Sequence, residues 1–297
     1  MTSYLTAATL EEALAALSTG ARPIAGGTDL VVGARQGKKE LPESLVGIHR
    51  IPGLDAIEPT GAGIDIGALA THADLVADPT IRDHYTGLAD AAALIGSHAT
   101  RAQGTIGGNV MNASPAMDTG APLLCLGATA TLAASSGHRT IALTDMWTGP
   151  AQTAARSDEL LVSLHLPTPP PNSGSAYVRL QFRRQMEIAV VGAAAAVTIE
   201  DGVVAKATIA ITAVAPTIHR VASAEQALLG TACDEPAMTA AAQAAADAAR
   251  PIDDVRASAV YRKSMVVVVS RRAILAAAMR ARGQQVEIPA SESTYGS

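Results

Sequence analysis

Two glycine pairs stand where a backbone could be pressed against a ligand. The first lies in Pro23-Ile24-Ala25-Gly26-Gly27-Thr28-Asp29-Leu30 and the second in Thr105-Ile106-Gly107-Gly108-Asn109. Without a Cβ, glycine lets main-chain N–H groups turn toward a ligand and lets the ligand touch the backbone itself. Successive N–H groups of this kind form a concave anion site, to which a helix starting just after adds the positive end of its dipole. A single Gly-Gly pair is usually a plain turn. Two of them, with Asn109 and Asp118 close behind the second, point to a diphosphate cradled from two sides, and so to a dinucleotide. The spacing is not G-x-G-x-x-G, so the Rossmann fingerprint is not the reading.

Other chemistry is scarce. Cys125 and Cys233 are the only cysteines, too few for the four thiolates of an iron–sulfur cluster and without a C-x-x-C pair. No His-rich pattern suits a metal. The apolar neighbours of Cys125, Leu123-Leu124 and Leu126, mark it as a small core residue rather than a nucleophile. No nucleophile–base pair presents itself, so no catalytic residue is assigned and redox chemistry falls to an organic cofactor. A net charge of −5 without basic runs argues against nucleic acid as a partner. No stretch reaches the roughly 20 apolar residues of a membrane span. No basic segment followed by an apolar core opens the chain, which is expected in the cytoplasm.

The elements that position the glycines are legible in outline. Thr9 and Glu12 form a capping box ahead of Leu10, Ala13, Leu14 and Leu17 at helical spacing, and Gly20 stops that helix. Arg22–Ala25 reads as a strand running into the first glycine turn, with Thr28 capping the next helix and Asp29 in its first turn. Ile64 and Ile66 alternate as in a half-buried strand, and Thr71 and Asp74 form a second capping box. A helix over Leu88–Ile95 leads to the second glycine turn, a helix over Ala121–Leu126 follows Asp118, and strands cover Thr129–Ala133 and Glu159–Leu166. The run Pro167-Thr168-Pro169-Pro170-Pro171 is the clearest boundary. Beyond it, Ala176–Phe182, Val190–Ile199 and Val203–Val214 read as strands with a hairpin at Asp201-Gly202. Ala224–Leu229, Ala237–Ala249 and Ala257–Arg282 read as helices, segregated to one side of that antiparallel sheet. The fold class is α+β. Aromatic residues make up only 2% against 48% hydrophobic, so the cores are built from Ala, Val, Leu and Ile.

These glycine segments, with Val110-Met111-Asn112-Ala113-Ser114-Pro115-Ala116-Met117-Asp118 after the second, resemble the FAD-binding domain of the molybdenum hydroxylases. That family includes xanthine dehydrogenase, carbon monoxide dehydrogenase and bacterial N-heterocycle dehydrogenases. Phe182-Arg183-Arg184-Gln185-Met186-Glu187-Ile188 resembles the start of the family's C-terminal flavoprotein domain. The resemblance implies a two-part FAD-binding domain of the PCMH type over residues 1–168, a C-terminal flavoprotein domain over 173–285 and a loose tail over 286–297. It implies one FAD in this chain. Its pyrophosphate loops would be Ile24, Ala25, Gly26, Gly27, Thr28, Asp29 and Leu30, and Thr105, Ile106, Gly107, Gly108 and Asn109. By the same resemblance Ile95 lies beside the flavin, Asp118 bonds a polar group of FAD, Leu161 nears the isoalloxazine ring and Arg179 its polar edge. Other readings stand beside these: Asp118 as a helix cap, Asn109 in a left-handed turn, Arg179 on a solvated face, Trp147 and His98 as packing residues.

Function by resemblance is electron transfer. The chain would be the medium subunit of a three-subunit enzyme, working with a small subunit that carries two 2Fe–2S clusters and a large molybdopterin subunit, as a dimer of heterotrimers. Electrons would pass from the clusters to FAD and on to an external acceptor. A non-covalent flavin is expected, since neither loop carries His or Cys, and no extra cluster, since the cysteines are too few. Thr28-Asp29 matches the xanthine and N-heterocycle enzymes more than the carbon monoxide enzymes, which lowers carbon monoxide as the substrate. The alternatives are a self-sufficient flavin oxidoreductase acting on its own organic substrate and a non-catalytic assembly component.

Overall fold

A computed structural model of the chain describes residues 2–37 and 40–291. The N-terminal part runs β1 (Ser3–Thr6), α1 (Leu10–Ser18), β2 (Arg22–Ile24), α2 (Leu30–Arg35) and β3 (Ser44–Gly47). Its three strands form a parallel sheet in the order β1-β3-β2. Thr9 caps α1 by accepting from the Glu12 N–H, while the Glu12 carboxylate reaches the Ala8 N–H at 2.7 Å rather than that of Thr9. Ala13, Leu14 and Leu17 then face inward against Val46 and Ile48.

The middle part opens with β4 (Ile57–Thr60) and β5 (Gly63–Gly67). Six short helices follow: α3 (His72–Ala77), α4 (Pro79–His84), α5 (Thr86–Leu94), α6 (His98–Arg101), α7 (Ile106–Asn112) and α8 (Gly120–Cys125). It closes with β6 (Thr129–Ala134), β7 (Gly137–Ala142), β8 (Trp147–Gly149), β9 (Gln152–Thr153) and β10 (Leu160–Pro167). A five-stranded antiparallel sheet in the order β4-β5-β10-β6-β7 backs the helices. Alternation works as expected there: Ile64 and Ile66 are buried, while Asp65 points outward and pairs with His165 at 2.7 Å.

The C-terminal part comprises β11 (Ser173–Leu180), β12 (Val191–Glu200), β13 (Val203–Thr212), β14 (His219–Arg220), α9 (Ala222–Leu228), α10 (Glu235–Ala248) and α11 (Ala259–Ala281). The strands form an antiparallel sheet in that order. Asp201 and Gly202, with φ of 50° and 82°, make the tight turn between β12 and β13. Helices α10 and α11 cover one face, over Ala176, Val178, Ala193 and Ala195. The opposite face is buried too: Tyr177, Ala194 and Ala210 belong to the middle part's core, against Leu88, Ala91 and Leu123. Strand β12 therefore carries small residues on both faces, which explains its unbroken Ala193-Ala194-Ala195-Ala196 run.

The tail departs from expectation. Residues 286–291 are not loose: Ala290 is fully buried and its N–H donates to Asp90 Oδ1 at 2.9 Å. The Ser291 hydroxyl accepts from the Arg179 N–H at 3.0 Å. Asp90 also takes both Nη atoms of Arg280 at 2.6 and 3.0 Å, so the tail closes over a buried ion pair between α5 and α11. The rest of that expected tail lies outside the described residues. Among the described residues no helix is long and apolar enough to cross a membrane.

Candidate functional site

The first glycine segment leaves β2 at Ile24 and turns into α2 at Leu30. Gly26 lies flat on the chain before the second segment, where a Cβ would collide with the Gln103 carbonyl oxygen. Gly27 has φ +68°, the conformation for which glycine is the cheapest residue. Asp29, not Thr28, occupies the cap position of α2, and its side chain makes no capping hydrogen bond. Thr28 instead turns its hydroxyl toward Gly104, 3.6 Å from where a Cβ would stand. The backbone N–H groups of Gly26, Gly27, Thr28 and Asp29 carry no hydrogen bond within the described residues. They form a row of open donors.

The second segment is built differently. It is not a glycine loop but the first turn of α7, capped by Thr105, whose hydroxyl accepts from the Gly108 N–H at 3.1 Å. Its other amides are also engaged: Ile106 N–H with the Ala70 carbonyl, Gly107 N–H with that of Ala68, both at 2.9 Å, and Asn109 N–H with that of Thr105. Gly107 is glycine for packing, since a Cβ would stand 2.6 Å from both the Cβ and the carbonyl oxygen of Ala68. Gly108 is exposed, and a Cβ there would meet only the Thr105 hydroxyl, at 2.9 Å. The two segments meet along a seam where Gly26 and Thr28 abut Gln103 and Gly104, with open donors on the first segment and Gly108 exposed in the first turn of α7 on the second.

Asp118 and Arg179 are brought together. Arg179 is fully buried, which removes the solvated-face reading, and donates through Nη1 to Asp118 Oδ2 at 2.6 Å. Its Nη2 donates to the Leu94 carbonyl and its Nε to Gln181. The Tyr177 hydroxyl donates to Asp118 Oδ1 at 2.7 Å. Asp118 does not cap α8, whose cap position is Thr119. Burial pushes the Asp118 carboxyl up, against the pull of the Arg179 charge and the Tyr177 hydroxyl. Leu94 precedes Ile95, whose own carbonyl accepts from Arg101 Nη1 at 2.9 Å, so this network adjoins the turn that leads to the second segment.

Asn109 is helical, with Oδ1 accepting from Thr119 at 2.6 Å; the left-handed residue of that region is Ala113, with φ 49°. Leu161 is buried in the core opposite Leu132, one residue before a bulge at Val162 whose carbonyl holds the Ala68 N–H. Trp147 packs in the core with its indole N–H on the Val110 carbonyl, whereas His98 is exposed and lies against Arg101. Sequence reasoning missed Gln103, Gly104, Ala68, Tyr177 and His72. The capping box at Thr71 and Asp74 fixes His72 as the first residue of α3, yet no local pattern says what the imidazole faces.

Open N–H donors, glycines at close approach and a mixed α/β frame define a dinucleotide-binding protein. A family model described as the FAD binding domain in molybdopterin dehydrogenase matches residues 1–169, and one described as the CO dehydrogenase flavoprotein C-terminal domain matches residues 176–277. The chain belongs to this family: it is an oxidoreductase flavoprotein subunit, and its cofactor is FAD. It is similar to the carbon monoxide dehydrogenase medium chain of Afipia carboxidovorans, 35% identical over 91% of this chain and 93% of that protein. It is also similar to the 6-hydroxypseudooxynicotine dehydrogenase complex subunit alpha of Paenarthrobacter nicotinovorans, 34% identical over 94% and 95%. Among solved structures, carbon monoxide dehydrogenase from Hydrogenophaga pseudoflava superposes with TM-score 0.90 at 33% identity, covering 94% of this chain and 98% of that one. Quinoline 2-oxidoreductase from Pseudomonas putida 86 superposes with TM-score 0.88 at 29% identity, covering 95% and 98%. The seam fits the cofactor: a diphosphate needs donors, which Gly26–Asp29 offer, and close backbone approach, which Gly108 allows.

Proposed function

We propose that the chain is the electron-transfer subunit of a molybdopterin-dependent hydroxylase, placed between 2Fe–2S clusters of a small subunit and an external acceptor. The row of open donors from Gly26 to Asp29, on a segment that abuts Gln103 and Gly104 just before α7 and its exposed Gly108, carries the reading. FAD bound there supplies the ability to accept electrons from one-electron clusters and release them to another acceptor. The protein's part is to hold the diphosphate at Gly26, Gly27, Thr28, Asp29 and Gly108, with Ile24, Ala25 and Leu30 flanking. Thr105, Ile106, Gly107 and Asn109 shape the helix that presents Gly108. Ile95, Leu161, Asp118 and Arg179 form the frame on which the flavin end is carried, with Tyr177 as the added member.

A large molybdopterin subunit would carry the hydroxylation and set its substrate. The small and large partners would assemble with this chain as a dimer of heterotrimers in the cytoplasm. Exposed apolar side chains support a life in complex: Phe182, Met186 and Ile188 are 64%, 57% and 57% exposed on one loop after β11. The division at 1–168 and 173–285 follows the change from one sheet to the next across residues 168–172.

The test uses the assembled complex with Gly108→Val. Substrate should still bleach the iron–sulfur absorbance while reduction of the external acceptor is lost. Unchanged acceptor reduction by a flavin-free complex would place the exit for electrons elsewhere. Substrate turnover by the isolated chain would favour a self-sufficient flavin oxidoreductase.

A further inference from the structure

His72 stands at the seam between the two glycine segments. It is the first residue of α3 and only 2% exposed. Its backbone N–H donates to the Gly104 carbonyl at 3.0 Å. Its imidazole borders the same glycine, because a Cβ on Gly104 would stand 3.3 Å from His72 Cδ2 and 3.6 Å from Thr28 Oγ1. Nδ1 is fully buried and has no hydrogen-bond partner.

Burial, and after it the neighbouring Arg101 charge, lowers the His72 pKa to about 4. The ring is therefore neutral near pH 7 and carries one proton. A buried acceptor left unpaired is better tolerated than a buried N–H left unpaired. With Nδ1 buried and unpartnered, the proton belongs on Nε2. In an imidazole Nε2 is bonded to Cδ2, so the N–H lies on the edge of the ring that borders Gly104 and Thr28. An uncharged donor thereby lies on the ring edge nearest Gly104, the residue that Thr28 of the first glycine segment also adjoins.

We propose that His72 is a further FAD-binding residue, its Nε2–H donating to a diphosphate oxygen held in the seam between the glycine segments. The inference rests on that seam being the diphosphate site. It accounts for a polar ring kept in an interior position without a protein partner, a position where an aliphatic side chain would cost less.

Three substitutions test it, read by quenching of flavin fluorescence as FAD is titrated into apoprotein, with the subunits that co-purify with the chain retained. Gln can present an N–H where His presents Nε2; Asn can reach only the Nδ1 position; Phe keeps the ring's shape with no donor. His72→Phe and His72→Asn should weaken FAD binding about 10- to 100-fold, the size of a hydrogen bond to a charged group. His72→Gln should stay within about threefold of wild type. Equal affinity of the Phe variant and wild type would overturn the assignment, as would equal loss in the Gln and Asn variants, which is the pattern of a packing role. Should the Phe variant fail to fold, the contrast between Gln and Asn decides alone. Wild-type protein that binds no FAD would defeat the seam itself; tight wild-type binding unmoved by these substitutions would defeat only His72.

Discussion

Arg179 Nη1 lies 2.6 Å from Asp118 Oδ2, and the guanidinium is wholly out of solvent. The pair joins the C-terminal sheet at β11 to the segment that follows α7. Both partners are held from other sides as well: the Tyr177 hydroxyl donates to the other oxygen of Asp118, and the guanidinium also donates to the Leu94 carbonyl and to Gln181. Removing one member strands a buried charge. Arg179→Met should therefore destabilise the chain by about 3–5 kcal/mol. Adding Asp118→Asn to it should recover part of that loss, because the stranded charge is then gone. Urea unfolding of the two single variants and the double variant measures this; strictly additive effects would mean the pair is not coupled.

The two adjacent glycines of α7 should respond differently to the same change. Gly107→Val drives a side chain into the backbone of Ala68, so it should lower the melting temperature and lose FAD as a consequence of damaged packing. Gly108→Val presses only on the Thr105 hydroxyl that caps α7, so it should cost the apoprotein about 1 kcal/mol, less than Gly107→Val, while abolishing FAD binding. Calorimetry paired with flavin content separates the two. Full FAD binding by Gly108→Val would show that the ligand does not approach this face.

Acid should weaken the fold partly through His72. Its pKa falls from an ordinary 6.5 to about 4 on folding. Between those values the unfolded chain binds a proton that the folded chain refuses, so stability present above pH 6.5 is lost as the pH falls toward 4. The contribution is on the order of 3 kcal/mol. Comparing wild type with His72→Phe at pH 7 and pH 4.5 by urea unfolding isolates it: the acid-induced loss should be smaller in the variant. Equal losses would place the imidazole's proton uptake outside folding.

Asp90 ties the end of the chain to its middle. It is fully buried and accepts from Arg280, from the Tyr177 N–H and from the Ala290 N–H. A chain shortened to end at Glu287 keeps Arg280 but loses the Ala290 donor and the Ser291 hydroxyl that accepts from the Arg179 amide. It should be destabilised by about 1–3 kcal/mol, read as a lower melting temperature. An unchanged melting temperature would make residues 288–291 dispensable.

Periodicity and caps made most elements legible. The alternation at Ile64 and Ile66, the capping box at Thr71 and Asp74 and the turn at Asp201-Gly202 are local signals, and the structure carries all three. Thr28 is not the cap because α2 starts one residue later than its spacing suggested, with Asp29 in the cap position. The second glycine pair looked like a loop, yet Thr105 caps it into a helix whose amides are taken by Ala68 and Ala70. Which glycine meets a ligand and which meets protein depends on what lies across the seam. The tail's small polar residues gave no hint that Ala290 completes the shell of Asp90, since that contact spans the whole chain. His72 went unread for the same reason.

The most direct check on FAD binding at the glycine seam is the visible absorbance of the purified chain, alone and with its co-purifying subunits, before and after FAD is supplied. About one FAD per chain, released intact by heat and absent from Gly108→Val, is the expected result. A folded wild-type chain that stays colourless in every one of those states would contradict it.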